Sequence, residues 1–107
     1  MKLGILACLA VILTTEQALA FTCHLSVETT VFTDGPCQYE EDVDGSFRFT
    51  DAKSDRIFVY VNMNGDGTAQ GYWPGPAGGT HAHDNLGILP RSGACWVNEL
   101  SRVCAWR

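Results

Sequence analysis

Five cysteines, at positions 8, 23, 37, 95 and 104, constrain this 107-residue chain more than any other feature. The first of them lies in a leader. Lys2 supplies a short positive region, Leu3 to Leu13 form an apolar run, and Ala18-Leu19-Ala20 has the small-x-small pattern of a signal-peptidase site. Glu16 and Gln17 end the run well short of the roughly 20 apolar residues that a membrane span needs. The apolar stretch before Cys8 is also too short for a lipoprotein signal. Cleavage after Ala20 is therefore expected, giving a signal peptide over residues 1–20 and one domain over residues 21–107. The mature chain keeps 87 of the 107 residues and four cysteines.

An even number of cysteines in a short exported domain predicts disulfides formed in an oxidising compartment, periplasmic or extracellular. Zinc is the rival use of four thiols, and it usually places them in pairs two to four residues apart. Here 13, 57 and 8 residues intervene, so bridges are expected. The hydrophobic pattern selects the pairing. Ala94-Cys95-Trp96-Val97 and Arg102-Val103-Cys104-Ala105 flank Asn98-Glu99-Leu100-Ser101, a four-residue hairpin loop. Pairing Val97 with Arg102 sets Cys95 directly opposite Cys104, at the short cross-strand distance a disulfide requires. Cys23–Cys37 is then what remains. Each bridge contributes roughly 2–4 kcal/mol, a large share of the stability of so small a domain.

The mature chain reads as all-β. Thr22 to Glu28 alternates around Cys23, Leu25 and Val27, and Ser46 to Asp51 carries Phe47 and Phe49 two residues apart. Arg56 to Asn62 is apolar on both faces, as a strand covered on both sides would be. Thr68 to Trp73 follows the Asn64-Gly65-Asp66-Gly67 turn. Asp34-Gly35-Pro36 and Asp44-Gly45 read as further turns. Five or six short strands with turns about every ten residues predict a small antiparallel β-sandwich or open barrel. Its core would hold Phe47, Phe49, one face of residues 57–61, Trp96 and Val103.

Composition matters most for what it excludes. One domain of this length cannot hold a catalytic barrel or a doubly wound nucleotide fold. A net charge of −5, with 7 basic and 12 acidic residues, opposes nucleic acid and anionic membrane as partners. No Gly-x-Ser-x-Gly elbow is present and every mature cysteine is committed to a bridge. The chain therefore offers no activated nucleophile, and a non-enzymatic protein without a cofactor is expected.

Four segments remain as candidate sites. Tyr72 and Trp73 stand at the base of a Pro- and Gly-rich loop running to His81-Ala82-His83-Asp84, and loops on rigid β frames commonly carry recognition. Tyr72, Trp73, His81, His83 and Asp84 are the expected binding residues. If that run is extended, His81 and His83 project to one side, where Asp84 or His24 would complete a Zn²⁺, Ni²⁺ or Cu²⁺ site. Asn62 to Gly67 resembles the opening of a calcium loop, but Trp73 occupies the position of the bidentate glutamate, so a hairpin turn is expected. Glu40-Glu41-Asp42-Val43-Asp44 reads as a solvated acidic turn.

Several stretches look like a group of short exported proteobacterial proteins of unassigned role: Asp34-Gly35-Pro36-Cys37, Asn64 to Ala69 with Gly71-Tyr72-Trp73, His81-Ala82-His83, and the paired-cysteine end Ala94 to Asn98 with Val103 to Trp106. The resemblance implies a bacterial envelope or secreted setting and carries no activity. A looser similarity, in size, charge and export, is to periplasmic lysozyme inhibitors. The expected partner is an envelope or extracellular protein or glycan.

Overall fold

The computed structural model describes residues 20–107. The expected leader, apart from Ala20, and Cys8 lie outside the described residues. Eight antiparallel strands follow one another around a closed barrel: β1 (Phe21–Val27), β2 (Thr30–Glu41), β3 (Phe47–Asp51), β4 (Phe58–Met63), β5 (Thr68–Trp73), β6 (Asp84–Ser92), β7 (Cys95–Val97) and β8 (Ser101–Trp106). Each strand pairs with the next and β8 returns to β1, an up-and-down meander without a sheet edge at its ends.

Eight strands make a barrel just wide enough to be filled by side chains. Leu25, Phe49, Val59, Val61, Ala69, Leu89 and Val103 have no exposed surface. They pack with Phe47, Trp73, Leu86 and Trp96 in one continuous core. Outward positions such as Arg48, Asn62, Gln70 and Arg102 are polar. This apolar-in, polar-out alternation is the reverse of that in membrane-spanning barrels. Among the described residues no helix is long and apolar enough to cross a membrane.

Both disulfides form as the sequence predicts. Cys95 stands opposite Cys104 in the β7–β8 ladder, Trp96 opposite Val103 and Val97 opposite Arg102. Cys23 and Cys37 bridge diagonally, because Cys23 opposes Gly35 and Cys37 opposes Phe21. Cys23 belongs to the core. Cys95 and Cys104 alternate with inward-facing Trp96 and Val103 and so hold the barrel from its outer face.

Two strands hide behind turn-forming residues. Asp34-Gly35-Pro36 is not a turn but the middle of β2, each residue paired with β1. β3 joins β2 only from Cys37 onward, so Pro36 sits where one side of β2 has no ladder to lose, the position in which strands tolerate proline. The neighbouring bridge and the His24–Asp34 cross-strand contact (Nδ1 to Oδ1, 3.3 Å) add tertiary restraints that override the local turn preference. The chain reverses instead at Glu28 and Thr29, both at positive φ (59° and 120°). β6 likewise passes through Gly87 and Pro90.

The β6–β7 seam is the weakest part of the wall. Only Arg91 and Ser92 of β6 have ladder partners in β7. The Asn98 side chain takes over where β7 ends. Its Nδ2 donates to the carbonyls of Leu86 (2.9 Å) and Ile88 (3.1 Å), and its Oδ1 accepts from the backbone amides of Leu100 (3.0 Å) and Ser101 (2.8 Å). Gly87 at φ +88° passes so near that a Cβ there would lie 3.3 Å from Asn98 Nδ2.

Candidate functional site

The antiparallel order gives the barrel two mouths. One collects Phe21, Tyr39, Phe47, Trp96 and Arg91 from the ends of β1, β2, β3, β7 and β6. Many of its groups engage one another around a cavity of about 320 Å³ bordered by Tyr39, Phe47, Arg91 and Trp96. The Tyr39 ring lies between those of Phe21 (centroids 4.0 Å apart) and Phe47 (5.3 Å). The Tyr39 hydroxyl donates to Glu41 Oε1 at 2.9 Å. Partial burial, and then the Glu41 carboxylate that accepts its hydrogen bond, push the phenol up to about 12. Arg107 covers Phe21 and Arg91 covers Trp96, with guanidinium carbons 4.8 and 5.3 Å from the ring centroids.

The opposite mouth is open. There the β1–β2 turn, the segment joining β5 to β6 and the β7–β8 turn surround a cavity of about 470 Å³, within the range of small-ligand and side-chain pockets. Two irregularities in the wall make room for it. The β1–β2 register slips between Leu25 and Ser26, leaving Phe32 as an extra residue in β2. The β5–β6 register slips between Gly71 and Tyr72, leaving Leu86 extra in β6. Phe32 meets the edge of Trp73 at a centroid distance of 4.8 Å, and together they close off the barrel interior beneath the cavity. Leu86 and Leu100 add apolar wall, and Leu100 remains 61% exposed. Glu28, His83 and Asp84 supply the charged or titratable part of the lining, which among the described residues includes no lysine or arginine. The Glu28 amide donates to Leu100 O at 2.6 Å, tying two of the three turns together and holding the strained Glu28–Thr29 backbone.

The expected binding residues divide. Trp73, His83 and Asp84 line the cavity. Trp73 is a core residue, only 4% exposed, that contributes floor and not a projecting anchor. Tyr72 and Trp73 end β5 and Asp84 begins β6, paired with Trp73, so the connecting loop spans only residues 74–83. Tyr72 alternates to the outside of the barrel. His81 lies off the cavity, its Nδ1 3.1 Å from Thr80 Oγ1. The loop is anchored, since the Gly79 amide donates to Arg56 O at 3.0 Å. Gly78 at φ +74° permits that approach, for a Cβ there would fall 2.9 Å from the same oxygen.

The two histidines precede β6 and do not share a strand face. His83 Nε2 is 4.0 Å from Asp84 Oδ1, while His24 is engaged with Asp34 on the β1–β2 ladder. Among the described residues no group of three His, Cys, Asp or Glu side chains is placed to hold a metal ion. The Asn62–Gly67 segment is a hairpin turn. Asp66 Oδ1 accepts from the hydroxyl (2.6 Å) and amide (3.0 Å) of Thr68, bonds that hold its carboxyl below the usual range. In the acidic run, Glu40 pairs with Arg48 at 2.5 Å and Asp44 caps the Ser46 amide at 2.9 Å.

Phe32, Leu86, Leu100 and Glu28 were not foreseeable as site residues. Two bulges bring Phe32 and Leu86 to Trp73, and the β1–β2 and β7–β8 turns bring Glu28 and Leu100 to the cavity; which bulges and turns meet is set by pairing between distant strands. Fold and cavities together define a closed, disulfide-bonded up-and-down barrel with a cavity at each mouth, the larger of the two over Trp73. No protein-family model, curated protein or solved structure matches the chain.

Proposed function

We propose that this protein is a non-enzymatic recognition module of the bacterial envelope or its exterior, binding its partner at the Trp73 mouth of the barrel. The supporting observation is the asymmetry of the two mouths. One has a smaller cavity of about 320 Å³, bordered by an aromatic stack whose polar groups engage each other, whereas the other presents an apolar floor, a largely exposed Leu100 and a polar rim. Such a mixture of apolar surface and a few polar groups is what binding sites on rigid frames share. Two disulfides suit an oxidising compartment, in keeping with export.

The test is to immobilise the oxidised protein, expose it to envelope extract, and repeat with Leu100→Lys. A retained component that the variant releases, at unchanged thermal midpoint, supports the reading; equal retention by both proteins contradicts it.

A second reading, inhibition of a hydrolase in the manner of the periplasmic lysozyme inhibitors, draws on the net charge of −5 and the carboxylates at the open mouth. It requires stoichiometric inhibition of a cationic lysozyme that weakens steeply with salt. No inhibition at low salt excludes it.

A further inference from the structure

We infer that the occupant of the open mouth is an extended, basic peptide segment of a partner protein, added as a strand along the free edge of β6 that begins at Asp84. The inference rests on the reading of this mouth as the recognition site and names what it takes.

The barrel is closed, yet its closure is incomplete. β6 has nine residues and β7 three, so from Asp84 to Pro90 no β7 residue pairs with β6. Main-chain groups of a strand need partners, and an uncovered strand side is a template for another chain. The fold meets this need over part of the edge with a side chain, Asn98 taking the carbonyls of Leu86 and Ile88. Pro90 lies in the same stretch, as expected where a strand lacks a full neighbour. Toward the mouth the substitution stops. Asp84 and Asn85 are exposed, and both border the cavity.

An extended segment laid against Asp84 and Asn85 would direct alternate side chains into the cavity over Phe32, Trp73 and Leu100, the usual division of labour in strand addition. Its charge follows from the lining. Glu28 and Asp84 face the space, and among the described residues no lysine or arginine lines it; Arg102 belongs to the shallower hollow on the far side of Leu100. With the chain at −5 overall, a basic segment is attracted and an acidic one repelled.

The test titrates the isotopically labelled, oxidised protein with a blocked hexapeptide of alternating valine and lysine. Two comparison peptides are run beside it: the same sequence N-methylated at alternate residues, and a valine–glutamate version. The inference expects the first peptide to bind and to shift the amide resonances of Asp84 and Asn85. N-methylation should weaken binding by about tenfold or more, the equivalent of one to two lost ladder bonds. The glutamate peptide should not bind. Equal binding by the N-methylated peptide, shifts confined to other strands, or no binding by any peptide would overturn strand addition. Release of the envelope component by Leu100→Lys would leave the recognition surface standing in each of those cases, so the two claims fail separately.

Discussion

Asn98 donates its side-chain amide to the carbonyl oxygen of Leu86 at 2.9 Å, and so a single carboxamide stands where the next residues of β7 would have paired with β6. The same group donates to Ile88 and accepts from the amides of Leu100 and Ser101. It therefore joins the seam of the barrel to the turn that forms one side of the open mouth.

Replacing Asn98 with alanine removes four hydrogen bonds and leaves two strand carbonyls without partners. At about 0.5–1.5 kcal/mol each, with partial compensation by water, the loss should be roughly 2–4 kcal/mol. Asn98→Asp should cost about as much, because a carboxylate cannot donate to Leu86 or Ile88. Urea denaturation with the disulfides intact measures both. A variant as stable as the native protein would show that the seam does not depend on this side chain.

Thr33 is 2% exposed and its Oγ1 has no hydrogen-bond partner among the described residues. Thr33→Val keeps the shape and removes a hydroxyl that gains nothing from burial, so stability should rise by about 1 kcal/mol. A fall in the thermal midpoint would mean that this hydroxyl does make a stabilising contact.

Trp73→Ala should cost about 3–5 kcal/mol, the usual penalty for deleting a large core aromatic. Trp73 is almost wholly buried against Phe32, so this variant reports on the core before it reports on binding. A thermal midpoint near that of the native protein would return Trp73 to the surface loop.

Tyr39 titrates late. Its phenol is pushed up to about 12 from an ordinary 10.0. The folded state thus holds this proton more tightly than the unfolded state. The associated stability is complete below pH 10 and is lost as pH rises toward 12. Tyr39 should form tyrosinate late in an ultraviolet absorbance titration, and Tyr39→Phe should abolish that late phase. A titration without a late phase that Tyr39→Phe removes would contradict the partial burial of this phenol and its contact with Glu41.

The part of the fold legible in the sequence is the part held by local pairing. The Val97–Arg102 register follows from alternation around a short loop, and one register places Cys95, Trp96 and Val103 together. The core residues Phe47, Phe49, Val59 and Val61 follow from period-two spacing. β2 and β6 were obscured because Asp34-Gly35-Pro36, Gly87 and Pro90 carry strong turn chemistry that neighbouring strands and a disulfide override. The reversal at Glu28–Thr29 lacks any glycine, asparagine or proline, and a backbone bond to Leu100, far along the chain, supports it.

The candidate site was half legible for the same reason. Aromatic and imidazole side chains at the ends of the 74–83 loop drew attention to Trp73, His83 and Asp84. Phe32 and Leu86 reach the cavity through bulges, which depend on how three hairpins fit together. Asn98 looked like an ordinary loop residue, since its partners Leu86 and Ile88 lie on another strand.

The most direct test of recognition at the Trp73 mouth compares two exposed apolar residues in turns at opposite ends of the barrel. Leu100 is 61% exposed beside the cavity, and Val43 is fully exposed between β2 and β3 at the other end. The dissociation constant of the captured envelope component should rise about tenfold or more for Leu100→Lys and stay unchanged for Val43→Lys. Equal effects of the two substitutions, or a loss confined to Val43→Lys, would contradict the account.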